Sequence, residues 1–68
     1  MQYRISEEDG KILIKDLKSD DTYAQINEDA RLIFYGDFPE QKCDEIKAFL
    51  ESQCIHLDEN GYAYRLTY

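Results

Sequence analysis

Two dipeptides near the ends of the chain, Asp9-Gly10 and Asn60-Gly61, each stand between short runs of alternating apolar and polar residues. Such pairs favour the positive φ that two-residue hairpin turns require, so the flanking segments are expected to pair antiparallel. A turn at Asp9-Gly10 puts Tyr3, Ile5, Ile12 and Ile14 on one face. A turn at Asn60-Gly61 pairs Leu57 with Tyr64 and Ile55 with Leu66, so that Ile55, Leu57, Tyr62, Tyr64 and Leu66 share the core face. The other face then holds Cys54, His56, Asp58, Ala63, Arg65 and Thr67. Period-two patterning and turn chemistry select this register independently.

Between the hairpins, residues 22–26 and 31–35 read as two further strands around the acidic turn Asn27-Glu28-Asp29-Ala30. Their register stays open, because either Leu32 and Phe34 or Ile33 and Tyr35 can face inward. A helix follows. Asp37-Phe38-Pro39-Glu40 offers an N-cap aspartate, an early proline and an acid in capping-box position. Cys43, Ile46, Phe49, Leu50 and Cys54 then recur at spacings of three and four, one apolar stripe. Glu40, Asp44 and Glu45 sit early, where the helix dipole favours negative charge. The expected fold class is α+β: a small antiparallel β-sheet, element order ββββ-α-ββ, with one amphipathic helix packed on one face. Residues 1–68 are read as a single compact domain, since typical domains already run to about 100–150 residues.

The chain has 68 residues, with 15 acids against 8 bases and a net charge of −7. With 43% apolar residues it is too rich in hydrophobic side chains for a disordered acidic tail. The charge argues against nucleic acid and anionic membranes as direct partners, because both need clustered Lys and Arg. The longest apolar run, Leu32-Ile33-Phe34-Tyr35, falls far short of the ~20 residues that span a bilayer. No apolar stretch follows a basic start at Met1, so we expect no signal peptide and a cytoplasmic chain, in the host cytoplasm if phage-encoded. Cys43 and Cys54 are too few for a disulfide scaffold and are read as reduced, mostly buried thiols.

No constellation announces a reaction. Cys54, His56 and Asp58 alternate along one strand, yet the paired short spacings of a structural zinc site are missing. On the expected register His56 and Asp58 instead lie opposite Arg65 and Ala63 on a solvent face. Cys54 and His56 stand two residues apart with no third group to orient them, and a domain this small has little room for a substrate pocket. The three glycines are isolated, so no phosphate loop exists. The chain is therefore read as a non-enzyme without cofactor or metal.

The placement of the acids is more informative. They cluster in the turns: Glu7-Glu8-Asp9, Asp20-Asp21, Glu28-Asp29 and Asp58-Glu59. In an up-and-down sheet the first and third of these clusters share one end, two strand spacings or roughly 10 Å apart. Five carboxylates over that distance approach the phosphate density of duplex DNA, one charge per ~1.7 Å. Lys11 and Arg31 flank the same turns and lower the local excess to three negative charges. Turn chemistry and solubility alone also favour acids in loops.

Six tyrosines add a second signal, since tyrosine is enriched at interface hot spots. Tyr23, Tyr35 and Tyr68 are the hardest to bury in so small a domain. The expected partner-binding residues are thus Glu7, Glu8, Asp9, Asp20, Asp21, Glu28, Asp29, Tyr23 and Tyr35. In size and acidity the chain is similar in style to phage- and plasmid-encoded inhibitors of host nucleic-acid enzymes, including anti-restriction and anti-CRISPR proteins. That resemblance is one of class and rests on no shared motif. It implies a partner with a basic, nucleic-acid-binding surface. The alternative is a cytosolic regulatory or assembly subunit, or an antitoxin-like partner, acting through a sheet edge and the helix face; such an edge also admits a homodimer.

Overall fold

A computed structural model describes residues 2–65 of the chain. The order is β1 (Tyr3–Glu8), β2 (Lys11–Asp16), β3 (Thr22–Ile26), β4 (Leu32–Phe34), α1 (Glu40–Ser52), β5 (Ile55–Leu57) and β6 (Ala63–Arg65). The expected ββββ-α-ββ order of an α+β fold is present. The strands form two antiparallel sheets, a four-stranded meander β1-β2-β3-β4 and a separate β5-β6 pair. No helix among the described residues is long and apolar enough to cross a membrane.

The first hairpin follows its sequence. Glu8 pairs with Lys11, and Asp9 (φ 52°) and Gly10 (φ 77°) make the two-residue turn. Tyr3, Ile5, Ile12 and Ile14 share the inner face, as the pattern predicts. The register of β4 is settled by burial: Leu32 and Phe34 pack against the core, while Ile33 and Tyr35 are exposed.

The last hairpin departs from its expected register by one residue. Leu57 pairs with Ala63, His56 with Tyr64 and Ile55 with Arg65. The slip moves the β6 side chains to the opposite face while those of β5 keep theirs. Ile55, Leu57 and Ala63 therefore face the core, whereas Tyr62 and Tyr64 stand exposed. The cause lies in Asp58. Its Oδ1 accepts the backbone N–H groups of Asn60 and Tyr62, both at 2.9 Å, and its own N–H donates to the Tyr62 carbonyl. This makes a three-residue loop ending on left-handed Gly61 (φ 85°), in place of a two-residue turn. Leu66, Thr67 and Tyr68 lie outside the described residues.

The β3–β4 loop is built the same way. Asn27 Oδ1 accepts from the N–H groups of Asp29 and Arg31, and Ala30 (φ 69°) takes the left-handed position that Gly61 holds in its counterpart. The two loops then clasp each other. Leu32 N–H donates to the Gly61 carbonyl at 3.0 Å and Ala63 N–H to the Ala30 carbonyl at 2.6 Å, which joins the two sheets at the Arg31–Tyr62 bridge.

The helix starts and stops differently from its sequence pattern. Pro39, not Asp37, is the N-cap, and no side chain caps the first turn. The proline nitrogen carries no hydrogen, and its carbonyl accepts the first helical bond from Cys43 N–H at 3.1 Å. Ile46, Phe49 and Leu50 are the buried stripe. The expected stripe ran on to Cys54, but the helix ends at Ser52 and Cys54 (φ 63°) turns out as an exposed thiol. Cys43 is half-buried, its Sγ 3.9 Å from the Phe38 carbonyl, so neither thiol is in the core.

Ile14, Ile46, Leu50 and Ile55 are fully buried, joined in the core by Tyr3, Ala24, Ile26 and Phe49. Left-handed backbone is costly for a residue with a Cβ, while glycine there costs only chain entropy. We therefore expect Cys54→Gly and Ala30→Gly each to raise stability by about 0.5–1 kcal/mol. Urea unfolding checks this, and an unchanged or lower midpoint for both variants would contradict the backbone account.

Candidate functional site

Because the four strands run up and down in sequence order, the β1–β2 and β3–β4 turns share one end of the sheet. They are in contact. A Cβ built on Gly10 would stand 3.6 Å from Glu28 Cγ, so the Glu28 side chain lies over the Asp9-Gly10 turn. Glu7, Glu8, Asp9, Gly10, Lys11 and Ile12 line a shallow depression of about 310 Å³ beside it. Asp29 is held in place by the Asn27 side chain at its backbone N–H. Glu8 is partly neutralised by Lys15, at 3.6 Å, and accepts from Ser6 Oγ at 2.9 Å. Asp9, Glu28 and Asp29 form no ion pair among the described residues.

Asp20 and Asp21 are not part of this cluster. They lie in the β2–β3 turn at the opposite end of the sheet. Arg4 binds that turn, donating to the Asp16 carbonyl at 3.1 Å and to the Ser19 carbonyl and Asp20 Oδ1, both at 3.2 Å. Of the expected residues, then, Glu7, Glu8, Asp9, Glu28 and Asp29 come together, while Asp20 and Asp21 stand apart.

The two tyrosines also separate. A bulge between Ile14 and Lys15 pairs Ile14 with Ala24 and Lys15 with Thr22, leaving Tyr23 as the extra residue. Bulges re-aim side chains, and this one turns Tyr23 inward. Its ring meets Tyr3 at 5.6 Å and Phe38 at 6.0 Å, both edge to face, and its hydroxyl donates to Asp16 Oδ2 at 2.9 Å. Lys42 of the helix places Nζ 4.4 Å from the Tyr23 ring centre and 4.7 Å from that of Tyr3, and the Tyr3 hydroxyl donates to Glu45 at 3.0 Å. Tyr35 remains outside, its hydroxyl donating to Gln25 Oε1 at 2.8 Å.

No protein-family model matches this chain, and neither a curated protein nor a solved structure matches it. Its chemistry has to be read from its own geometry.

The Asp16–Tyr23–Lys42 group ties the sheet to the helix and predicts a pH profile. Backbone N–H donation from Lys18, then the Tyr23 hydroxyl, hold Asp16 below its ordinary value. The same bond to Asp16, with burial and the carboxylate charge, raises Tyr23 above its ordinary value. Contact with Tyr3 leads the causes that raise Lys42. A depressed acid stabilises the fold above its unfolded pKa and loses that effect as pH falls through the folded value. A raised phenol or ammonium stabilises below its unfolded pKa and loses the effect as pH rises through the folded value. Stability should therefore decline below about pH 4 and again above about pH 10. Tyr23→Phe should weaken the part of each limb that comes from the Asp16–Tyr23 bond. Denaturant titrations across pH check this, and identical profiles for wild type and variant would contradict it.

Sequence reasoning missed Tyr62 and Tyr64 as surface residues, which the register slip exposes. His56, expected opposite Arg65, instead pairs with Tyr64, with its ring tilted at 5.5 Å from it and Nδ1 2.8 Å from Glu51 Oε2. A signal was present. Asn27-Glu28-Asp29-Ala30-Arg31 and Asp58-Glu59-Asn60-Gly61-Tyr62 carry the same turn chemistry in the same order.

Proposed function

We propose that this chain is a non-enzymatic binding module whose acidic end occupies a basic site on a nucleic-acid-handling protein, in the manner of an inhibitor that imitates nucleic-acid phosphates. The observation that carries the reading is the fold of Glu28 over the Asp9-Gly10 turn. It sets the Glu28 carboxylate against the Asp9-Gly10 turn, so acids of both turns meet at one end of the sheet. Three of these carboxylates have no ion-pair partner among the described residues, so they are available to lysine and arginine on another protein. Charge of this kind acts mainly by steering encounter and fixing orientation.

Affinity capture from native lysate at low salt and at about 0.5 M salt tests the proposal, since ionic strength screens exposed charge beyond a few ångströms. Nucleic-acid-binding proteins retained at low salt and released at high salt are the expected result. Retention that ignores salt would favour an apolar sheet-edge or helix-face contact, the mode of an assembly subunit, and would overturn the electrostatic reading.

A further inference from the structure

Apart from Leu17 in the β2–β3 turn, the large apolar side chains left exposed gather on one side of the molecule. Ile33 on β4 and Tyr35 just after it are exposed on the side away from the core, and Tyr62 stands beside Arg31 across the bridge that joins the sheets. Tyr64 continues the same side of β6, opposite core-facing Ala63. Half-buried Leu13 lies in one cross-strand row with Gln25 and Ile33. These residues form an apolar and aromatic strip on the sheet face opposite the helix.

The strand positions of that face carry more bases than acids although the chain is acidic, with Asp58 at its margin across from Tyr62. Arg4, Lys11, Lys15 and Arg31 occupy outward positions, and Glu8 is the acid that shares the face with them on β1 and β2. Arg4 is committed to the Asp20 turn and Lys15 to Glu8. Lys11 and Arg31 form no ion pair among the described residues. Tyrosine and arginine around aliphatic side chains is the composition of protein hot spots.

We infer that this outward face docks an acidic, apolar protein segment, with Arg31 gripping a carboxylate while Ile33, Tyr35 and Tyr62 cover aliphatic side chains. Arginine suits the role because its planar fork matches a carboxylate in two-point contact. The strip fits a nucleic-acid strand less well. Tyr35, Tyr62 and Tyr64 expose rings, but two uncommitted cations match few phosphates and Leu13 and Ile33 offer no stacking plane. This surface borders the acidic end, sharing Glu8 and Lys11 with it, but its apolar strip lies on β4 and β6 and does not depend on the acidic end's function.

Nitrogen-15 shift mapping of the whole chain tests the assignment with three probes: a synthetic peptide of alternating Glu and Leu, a Lys/Leu peptide of the same pattern, and a thymidine oligonucleotide. The Glu/Leu peptide alone should move the amides of Leu13, Gln25, Arg31, Ile33, Tyr35 and Tyr62. Arg31→Gln should weaken that binding about tenfold, the size of one charge-assisted contact. The double variant Ile33→Thr/Tyr35→Ser should do likewise, and Arg31→Gln keeps the test valid if the double variant melts early. Shifts centred elsewhere, an equal response to the Lys/Leu peptide, or a response to the oligonucleotide would overturn the inference. So would shifts that change on dilution of the protein alone, which would give the face to a second copy. No response at about millimolar peptide would also overturn it.

Discussion

Leu50→Ala is expected to leave most of the chain unfolded at room temperature. Leu50 is fully buried where the helix meets the sheet, in a core whose largest fully buried side chains are Ile14, Ile46, Leu50 and Ile55. Removing three carbons from such a site forfeits the transfer energy and leaves a cavity, a loss of about 3–4 kcal/mol. A core this small rarely supplies more than about 3–5 kcal/mol of net stability, so nothing remains to hold the fold. Far-ultraviolet circular dichroism with urea titration measures it. A cooperative transition within about 1 kcal/mol of wild type would show that the helix is not the element on which the sheet depends.

The second large effect concerns binding. Replacing Glu7, Glu8, Glu28 and Asp29 together by their amides should slow association with a basic partner ten- to a hundredfold at low salt, roughly the range that electrostatic steering spans. Dissociation should change much less. All four side chains are exposed, and the Glu8–Lys15 ion pair is of the partly exposed kind that contributes at most about 1 kcal/mol to folding. Asp20→Asn with Asp21→Asn is the matched control. Those acids sit at the far end of the sheet, one already paired with Arg4, so their loss should leave the association rate nearly unchanged. Stopped-flow kinetics on a captured partner separates the two. Equal slowing by both variants would mean that net charge, and not the acidic end, guides encounter.

The element order and the first hairpin were legible because two independent local signals agreed there: Asp9-Gly10 chemistry and the alternation of Tyr3, Ile5, Ile12 and Ile14. The second hairpin carried the same kind of signal and misled. Asp58 can cap a loop one residue longer, and the competition between that loop and an Asn60-Gly61 turn is decided by which residues the core accepts. The core takes Ala63, small and opposite Leu57, and leaves Tyr62 and Tyr64 outside. Tyr23 was expected outside because so small a domain has little room to bury it, but a bulge turns it inward against Tyr3 and Phe38. The helix stripe was right at Ile46, Phe49 and Leu50 and wrong at Cys54, where a left-handed residue ends the helix without a glycine to announce it. Clustering of acids in the turns could be read directly. Their division between two ends follows from strand order, but the contact of Glu28 with Gly10 is a matter of three-dimensional loop shape.

Competition with duplex DNA for the captured partner tests the account's centre most directly. If the acidic end occupies the partner's nucleic-acid site, DNA and this protein should exclude each other. Increasing DNA should then displace the protein, with an apparent affinity that falls in proportion to DNA concentration. A stable ternary complex, with both bound and the protein's affinity unchanged by saturating DNA, would contradict it.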